Sequence, residues 1–302
     1  MPDLMNTREV AEYLRIKERK VYDLVQRKQI PCTRVTGKWL FPKHMIDLWL
    51  AEASFMPGNV TSRATQPINP PPVIAGSHDP LLDWALLQSD CQLAMTAGGS
   101  LDGLNRFFAG QAMASGLHVI DGKTGAYNIA AVARAQQATA VPGGLVLVEW
   151  ARRQQGLVLA PGNPLGISTF ADLAKKKARI VVRQPGAGSR VLFDFLAGET
   201  GIDIGELNII SRPALNETEL ALCIAEGRAD AGMAVAAVAG HYRLDFIAIR
   251  QERYDLLIRP GDYFGDGFQK LIDFTRTSAF HQRAREMDGY DVSGLGRVHM
   301  NI

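Results

Sequence analysis

The sequence has few cysteines, no long apolar runs and little net charge, and each of these excludes a class of protein. Three cysteines among 302 residues, far apart, form neither a disulfide framework nor a metal-ligand pattern, so we expect reduced thiols in a reducing compartment. No apolar run approaches the roughly 18 residues of a membrane span, and the N-terminus turns polar at once, without the apolar core of a signal peptide. We therefore expect a cytoplasmic protein.

The formal net charge is only +2, but it is unevenly distributed. Between Tyr13 and Lys43, nine Lys and Arg residues stand against Glu18 and Asp23, a net of +7. The first 12 residues sum to −2 and the last 259 to −3. One small basic module is therefore joined to a mildly acidic body, as expected if only that module meets a polyanion.

Composition divides the chain into three parts. Residues 1–52 are charged and periodic, and residues 53–72 carry five prolines and indicate an extended linker. In residues 73–302, short apolar runs alternate with helical patterns, which predicts an α/β fold with mainly parallel sheets.

The order of elements in residues 1–52 predicts a winged helix-turn-helix. Two short helical patterns, the first capped at Asn6 or Thr7 and the second ended by Ile30–Pro31, precede two β runs about residues 36–38 and a helix from Pro42 to Leu50. Cations on the second helix would face the major groove, and those on the wing would reach phosphates. The candidate DNA-binding residues are Lys17, Arg19, Lys20, Tyr22, Arg27, Lys28, Arg34 and Lys38. The alternative is a solvated basic face on a protein-binding domain.

The motifs TREVAEYL, KVYDL and GKWLF occur here in that order. They resemble the excisionase family of the MerR-like helix-turn-helix superfamily, in which many relatives carry a basic residue at the position of Asp23. The resemblance implies operator binding. A single module of this size offers few phosphate and base contacts, so we expect a dimer or tetramer.

Four loops of the large domain place glycine, serine or other small polar residues between an apolar run and a helix. They are GSHDPLLDW (76–84), GGSLDGL (98–104), DGKTGAYN (121–128) and RQPGAGSR (183–190). Helix N-termini present unpaired N–H groups and a partial positive charge, so loops that converge there favour an anion. The loop RQPGAGSR lacks the lysine of a Walker A motif, which argues against nucleotide hydrolysis. For each loop taken alone, a simple helix cap is the alternative.

Four longer motifs follow one another in the same domain: GLVLAPGNPLGISTFADL, RIVVRQPGAGSRVLFDFL, EGRADAGMAVAAVA and LDFIAIRQERYDLLI. They resemble the periplasmic-binding-protein-like domain that occurs with helix-turn-helix modules and with molybdopterin-biosynthesis proteins. The resemblance implies a type II binding protein, with two α/β lobes on a hinge and a second lobe at about residues 143–245. It also implies a small oxyanion such as molybdate or tungstate in the cleft.

The loops and this resemblance together give the candidate ligand-binding residues. They are Ser77, His78, Asp79, Gly99, Ser100, Asp121, Tyr127, Arg183, Gln184, Gly186, Gly188, Ser189, Arg190, Asp230 and Gly232. For Asp79, a cap on the helix at 80–87 is the alternative. Glu219 stands where the family often has histidine, and a carboxylate there would repel a dianion. The ligand is therefore left open between molybdate or tungstate and a smaller or partly neutral species.

We expect a one-component, ligand-responsive transcriptional regulator and not an enzyme. No nucleophile in a known motif accompanies His78–Asp79, and the histidines form no HxxxH pair, so neither a metal nor a cofactor is expected. Closure of the lobes on the anion would alter the affinity for the operator. The alternatives are an accessory factor or enzyme of molybdenum-cofactor biosynthesis, a recombination-directionality factor, and a regulator that senses a small carboxylate such as formate.

Overall fold

The computed structural model describes residues 4–27, 29–35, 38–53, 70–139 and 144–302. The chain divides into two compact units, Met1–Ile68 and Asn69–Ile302. Most of the predicted linker lies outside the described residues, as do Lys28, Thr36 and Gly37, and the side chain of Arg34 is not described. The domain boundaries at residues 52 and 72 stay predictions.

The first unit has the order strand, helix, helix, hairpin, helix. Its elements are β1 (Leu4–Asn6), α1 (Thr7–Tyr13), α2 (Glu18–Gln26), β2 (Thr33–Val35), β3 (Lys38–Pro42) and α3 (Lys43–Ala53). Strand β3 lies between β1 and β2 and is antiparallel to both. Sequence reasoning missed β1, because three residues carry no readable alternation. The buried core consists of Met5, Val10, Ala11, Val21, Val25, Ile30, Phe41 and Ile46.

A capping box fixes the start of α1. The side chain of Asn6 accepts hydrogen bonds from the backbone N–H groups of Arg8 and Glu9 at 2.9 and 3.0 Å, and Glu9 accepts from the N–H of Asn6 at 2.7 Å. These bonds satisfy N–H groups that a helix cannot pair internally. Helix α2 is amphipathic: Val21 and Val25 are buried against the core, which leaves its charged side chains on the outside.

The second unit opens with a parallel arrangement of strands and helices. Its first elements are β4 (Val73–Gly76), α4 (Pro80–Gln88), β5 (Ala94–Ala97), α5 (Ser100–Phe108), β6 (Ala114–Leu117) and α6 (Ile129–Thr139). Strand β4 pairs in parallel with both β5 and β6. The carboxyl ends of these strands therefore share one edge of the sheet, and the loops after them are neighbours.

Two strands of 14 residues, β7 (Val146–Leu159) and β10 (Asp245–Ile258), connect two lobes of this unit. They are antiparallel to each other along their whole length, and β10 also pairs antiparallel with β6 of the first lobe. Strand β7 pairs antiparallel with β9 (Ala231–Val235) of the second lobe. The prediction of mainly parallel sheets is therefore wrong at the centre, where the chain crosses between lobes and returns.

The second lobe is built on the outer ends of these long strands. Besides β9 it contains α7 (Asp172–Lys175), β8 (Ile180–Val181), α8 (Gly188–Thr200), a 3₁₀ turn (Ile204–Glu206), α9 (Glu217–Ala225) and α10 (Ala236–His241). Strand β8 is parallel to β9. Two apolar clusters fill the lobe, one around Phe193 and one around Leu220.

The C-terminal residues return to the first lobe, as predicted. They form α11 (Pro260–Tyr263), α12 (Asp266–Thr275), α13 (Ser278–Glu286), β11 (Tyr290–Asp291) and β12 (Val298–Asn301), and both strands pair with β7. Phe268 and Phe280 share one core with Leu81 and with Trp150, which is fully buried.

The predicted fold class, a winged helix-turn-helix followed by a two-lobed α/β domain, is confirmed. Among the described residues, no helix is long and apolar enough to cross a bilayer.

Candidate ligand cleft and DNA-binding helix

Three buried serine hydroxyls come from the two lobes. Ser77 follows β4, Ser100 begins α5, and Ser189 lies in the first turn of α8 on the other lobe. The Oγ atoms of Ser77 and Ser100 are 2.7 Å apart, and Ser100 Oγ also accepts the N–H of His118 at 3.2 Å. Two hydroxyls that share one hydrogen leave the other hydrogen free to donate. Ser189 Oγ has no hydrogen-bond partner within the described part of the chain.

The loops before α5 and α8 bond directly to each other and join the lobes. The N–H of Leu101 donates to the carbonyl of Gly186 at 3.2 Å. The amide of Gln184 donates to the carbonyl of Gly98 at 3.4 Å. Gly186 has φ +84°, a backbone conformation that L side chains rarely adopt, so glycine allows this approach.

A second interlobe contact joins the start of α8 to the end of β6. Gly188 lies so close to the ring of His118 that a Cβ on it would be 2.6 Å from a ring carbon. Gly99, the residue before α5, has φ +100°. A Cβ added to Gly99 would lie 3.3 Å from the Cα of Ala187 on the other lobe. The two lobes are therefore closed against each other at this place.

The guanidinium of Arg153, halfway along β7, is fully buried. It donates to Asp79 Oδ2 at 3.0 Å and, through Nε at 2.8 Å and through a second nitrogen, to Glu252 on the facing strand β10. Glu252 also lies 2.7 Å from His118 Nδ1. Burial opposes ionisation of Glu252, but the charge of Arg153 and the bond to His118 outweigh it and lower the pKa of the carboxyl.

Asp79, a predicted ligand residue, is taken up by protein groups. Its Oδ1 accepts from the N–H of Leu82 at 2.7 Å and from the indole of Trp150 at 3.0 Å, and its Oδ2 accepts from Arg153 and from the hydroxyl of Tyr290 at 2.7 Å. It is the N-cap of α4, so the alternative interpretation is the correct one. A carboxylate with four such donors has no acceptor site left for a ligand.

A further carboxylate, Glu217 at the start of α9, is 3% exposed. It accepts from the side-chain amide of Gln155 at 3.2 Å and from the N–H of Val235 at 3.3 Å. The same amide nitrogen lies 3.4 Å from Glu252, so Gln155 bridges two buried carboxylates. Its own oxygen, Oε1, has no partner among the residues that the structure describes.

Glu219, whose carboxylate was expected to repel a dianion, is bonded to protein groups. Its carboxylate accepts the N–H of Leu215 at 2.7 Å and pairs with Arg212 at 3.3 Å, both at the exposed surface. The buried carboxylate at the start of α9 is that of Glu217, two residues earlier.

Tyr127, on the loop after β6, is a predicted ligand residue that the structure keeps near the cleft. Its hydroxyl is buried and has no partner in the described ranges. Burial raises the pKa of this phenol, and the nearby charge of Glu252 raises it further. His78 is partly exposed, 3.6 Å from Asp83.

Arg183 and Arg190, the first and last residues of the loop RQPGAGSR, both bond to other groups of the protein. Arg183 is buried and donates to the carbonyls of Ala214 at 3.2 Å and Leu215 at 3.1 Å, and burial lowers the pKa of its guanidinium. Arg190 pairs with Asp194 at 2.7 Å along the outside of α8. Arg183 therefore braces the loop, and Arg190 does not belong to the cleft.

Three other predicted contacts also lie elsewhere. Asp121 accepts from the N–H and hydroxyl of Thr124, both at 3.0 Å, and so fixes its own turn. Asp230 is held by Arg179 through two bonds of 2.6 and 3.1 Å. Gly232 allows close packing, because a Cβ there would come within 2.9 Å of Leu220.

Within the described residues, no group of three or more His, Cys, Asp or Glu side chains is placed to hold a metal ion.

Six of the eight predicted DNA-binding residues have described side chains, and all six are exposed on the first unit. Tyr22 is 47% exposed. The exposed cations among them are Lys17, Arg19, Lys20, Arg27 and Lys38. Most of them lie on or next to α2, the second helix of the helix-turn-helix, which is the helix that enters the major groove in this class of module.

The first unit has the fold of a helix-turn-helix module with a basic second helix, and the second unit has the two-lobed α/β fold of a binding-protein-like domain. Residues 4–54 match a helix-turn-helix domain, and residues 85–276 match the PBP superfamily domain. The chain belongs to the PBP superfamily. The predicted fusion of a helix-turn-helix module to such a domain is confirmed.

Two uncharacterized proteins are similar to this chain in sequence. The uncharacterized protein YvgK of Bacillus subtilis is 26% identical over 301 residues, which cover 96% of each chain. An uncharacterized protein encoded in the 5' region of the 2Fe-2S ferredoxin gene of Clostridium pasteurianum is 28% identical over 99 residues, 32% of this chain and 88% of that one.

Solved binding proteins are similar at low identity. Peb3 of Campylobacter jejuni has a TM-score of 0.46 at 16% identity, covering 72% of this chain and 98% of its own. PhnD1 of Prochlorococcus marinus, in complex with methylphosphonate, has a TM-score of 0.46 at 13% identity, covering 72% and 90%. The sulfate-binding protein SubI of Mycobacterium tuberculosis has a TM-score of 0.46 at 14% identity, covering 69% and 82%.

Proposed function

We propose that this protein is a transcriptional regulator that binds operator DNA and senses a small oxyanion in the cleft between its two lobes. The observation that carries the proposal is the set of buried hydroxyls from both lobes, Ser77 and Ser100 on one side and the unpartnered Ser189 on the other. Hydroxyls and helix N-termini donate hydrogen bonds to an anion without a full countercharge. The resemblance to domains associated with molybdate and tungstate supports an oxyanion as the ligand class.

An anion that bonds to both lobes stabilises their closed arrangement. The contacts between Leu101 and Gly186 and between Gln184 and Gly98 belong to that arrangement. In a dimer or tetramer, closure would change the spacing of the DNA-binding modules. Ligand and operator then change each other's affinity by the same factor, which is about 5- to 150-fold in systems of this kind.

The cleft binds its ligand and does not transform it. Ser77 and Ser100 bond to each other, and Ser189 has no hydrogen-bonded base within the described residues. A serine becomes a nucleophile only when an adjacent base takes its proton. The ring of His118 bonds to Glu252, and among the described residues it makes no hydrogen bond to any of the three serine hydroxyls.

The test is a thermal-shift screen of the full-length protein with molybdate, tungstate, sulfate, phosphate and formate. An anion present at 100 times its Kd stabilises the folded state by about 2.7 kcal/mol. Ser189→Ala should abolish the shift, and Ser278→Ala, an exposed serine of α13, should keep it. A folded protein that none of these anions stabilises would contradict the proposal.

The screen continues with DNA binding of the wild type, measured by fluorescence anisotropy on fragments from upstream of its own gene. The stabilising anion should change the apparent Kd for one fragment. The Ser189→Ala variant should bind the same fragment with an affinity that the anion does not change.

A further inference from the structure

Two hydrogen-bond acceptors in the cleft are buried and short of donors. Gln155 Oε1 has no partner among the described residues, and the carboxylate of Glu217 receives two long bonds, of 3.2 and 3.3 Å. Buried acceptors in folded proteins are nearly always paired, so an unpaired one calls for an explanation. A hydrogen-bond donor on the ligand would explain these unpaired acceptors.

The orientation of the Gln155 amide is determined by its neighbours. Its nitrogen lies between the carboxylates of Glu217 and Glu252, at 3.2 and 3.4 Å. The reverse orientation would place the amide oxygen against two negative groups. The unpaired atom is therefore the oxygen, which accepts and cannot donate.

These acceptors belong to the same cleft as the serine hydroxyls. Gln155 contacts Glu252, Glu252 bonds to His118, and the ring of His118 lies against Gly188. Gly188 is the residue before Ser189 at the start of α8. A continuous series of contacts thus connects the unpaired acceptor of Gln155 to the helix start that carries Ser189.

The charge of this region disfavours a fully ionised dianion. Two buried guanidinium groups, of Arg153 and Arg183, stand against three buried carboxylates, of Asp79, Glu217 and Glu252. Like charges repel strongly where water is excluded. A hydrogen on the ligand that points at Glu217 turns that repulsion into a charge-assisted hydrogen bond.

We infer that the ligand is an oxyanion that keeps a hydrogen at neutral pH, of the hydrogenphosphate or phosphonate type, and not molybdate, tungstate or sulfate. The inference rests on the proposed function and narrows its ligand class. The bare oxygens of the anion accept from the serine hydroxyls, and its O–H donates to Glu217 or to Gln155 Oε1. Glu217 is thus the residue that determines specificity.

The test is isothermal titration of the full-length protein with phosphate, sulfate, molybdate and tungstate at neutral pH. A hydrogen bond to a charged acceptor changes Kd on the order of tenfold to a hundredfold, so phosphate should bind that much more tightly than the other three anions. Glu217→Gln should weaken phosphate and strengthen sulfate, because its amide can donate. Glu219→Gln, on the same helix but at the surface, should match the wild type.

A second measurement needs no variant. Methyl phosphate loses its last hydrogen with a pKa of about 6, whereas inorganic phosphate keeps one well above that pH. The wild type should therefore bind methyl phosphate at least tenfold more weakly at pH 8 than at pH 5.5, with a smaller change for inorganic phosphate.

The outcomes separate the inference from the proposed function. If sulfate, molybdate or tungstate binds the wild type as tightly as phosphate, the inference is overturned and the oxyanion sensor stands. If Glu217→Gln folds and leaves the order of the anions unchanged, the inference is likewise overturned. If no oxyanion binds at all, the proposed function fails first.

Discussion

Replacing Gly188 with alanine adds one atom, a Cβ, at the contact between the two closed lobes. The new Cβ would lie 2.6 to 2.7 Å from three atoms of the His118 ring, far inside van der Waals contact. That ring cannot easily move, because it is buried, bonded to Glu252 at 2.7 Å, and stacked on Tyr254. Overpacking of this kind costs about 1–3 kcal/mol.

Gly198→Ala in the same helix is the matched control, since a Cβ there would meet nothing within 4 Å. Alanine in an unobstructed helical position stabilises by about 0.5–1 kcal/mol. In a unit of this size, 1 kcal/mol corresponds to about 2–4 °C in Tm. Calorimetry of the full-length protein should therefore show a Tm lowered by about 2–12 °C for Gly188→Ala and raised for Gly198→Ala. Equal stability of the two variants would refute the closed contact.

Three further predictions concern the buried charges and the DNA-binding helix. In a urea titration, Arg153→Met should lower the free energy of unfolding by about 3–5 kcal/mol, because it leaves two carboxylates buried without their cation. The control variant Arg190→Met should lower it by at most about 1 kcal/mol, because Arg190 forms only a partly exposed ion pair. Arg19→Ala and Lys20→Ala should each weaken DNA binding and reduce the slope of log Kd against log salt by about 1, with Arg190→Met unchanged. The lowered pKa of Glu252 means that its ionisation stabilises the fold at pH values above its unfolded pKa of about 4.5. This stabilisation is lost as the pH falls through the pKa of the folded state. The stability difference between wild type and Glu252→Gln should therefore shrink on acidification, and a pH-independent difference would contradict this.

The local features of the fold could be predicted from the sequence. A serine between an apolar strand and a helix is a local signal, and it predicts the positions of Ser77, Ser100 and Ser189 beside strand ends and helix starts. The capped start of α1 and the buried valines of α2 follow from the same short-range rules. These features need only a few neighbouring residues, which is why the pattern revealed them.

The charged centre of the cleft could not be predicted, because it depends on strand register. Arg153 faces Glu252 across two strands whose residues are far apart in sequence. The runs WARRQQ and RQERYD have polar residues in the middle of long strands, which was the available signal. Apolar runs mark only the two ends of these strands, so they do not reveal the polar residues at the centre.

The difference between Glu217 and Glu219 follows from where α9 begins. Asn216 is the N-cap, and its side chain accepts from the N–H of Glu219 at 2.7 Å. The order Asn-x-x-Glu is a known helix start, in which the glutamate turns back to the preceding backbone. This pattern predicts that the carboxylate of Glu219 bonds to the backbone, as it does to the N–H of Leu215.

Anion-dependent DNA binding by the full-length protein bears most directly on the proposed role. The affinity for an operator fragment is measured by fluorescence anisotropy at increasing concentrations of an anion whose binding has been established by calorimetry. Coupling between the cleft and the DNA-binding module predicts a change in operator Kd of at least about fivefold at saturation. The same anion, bound in the cleft but without effect on the operator Kd, would contradict it.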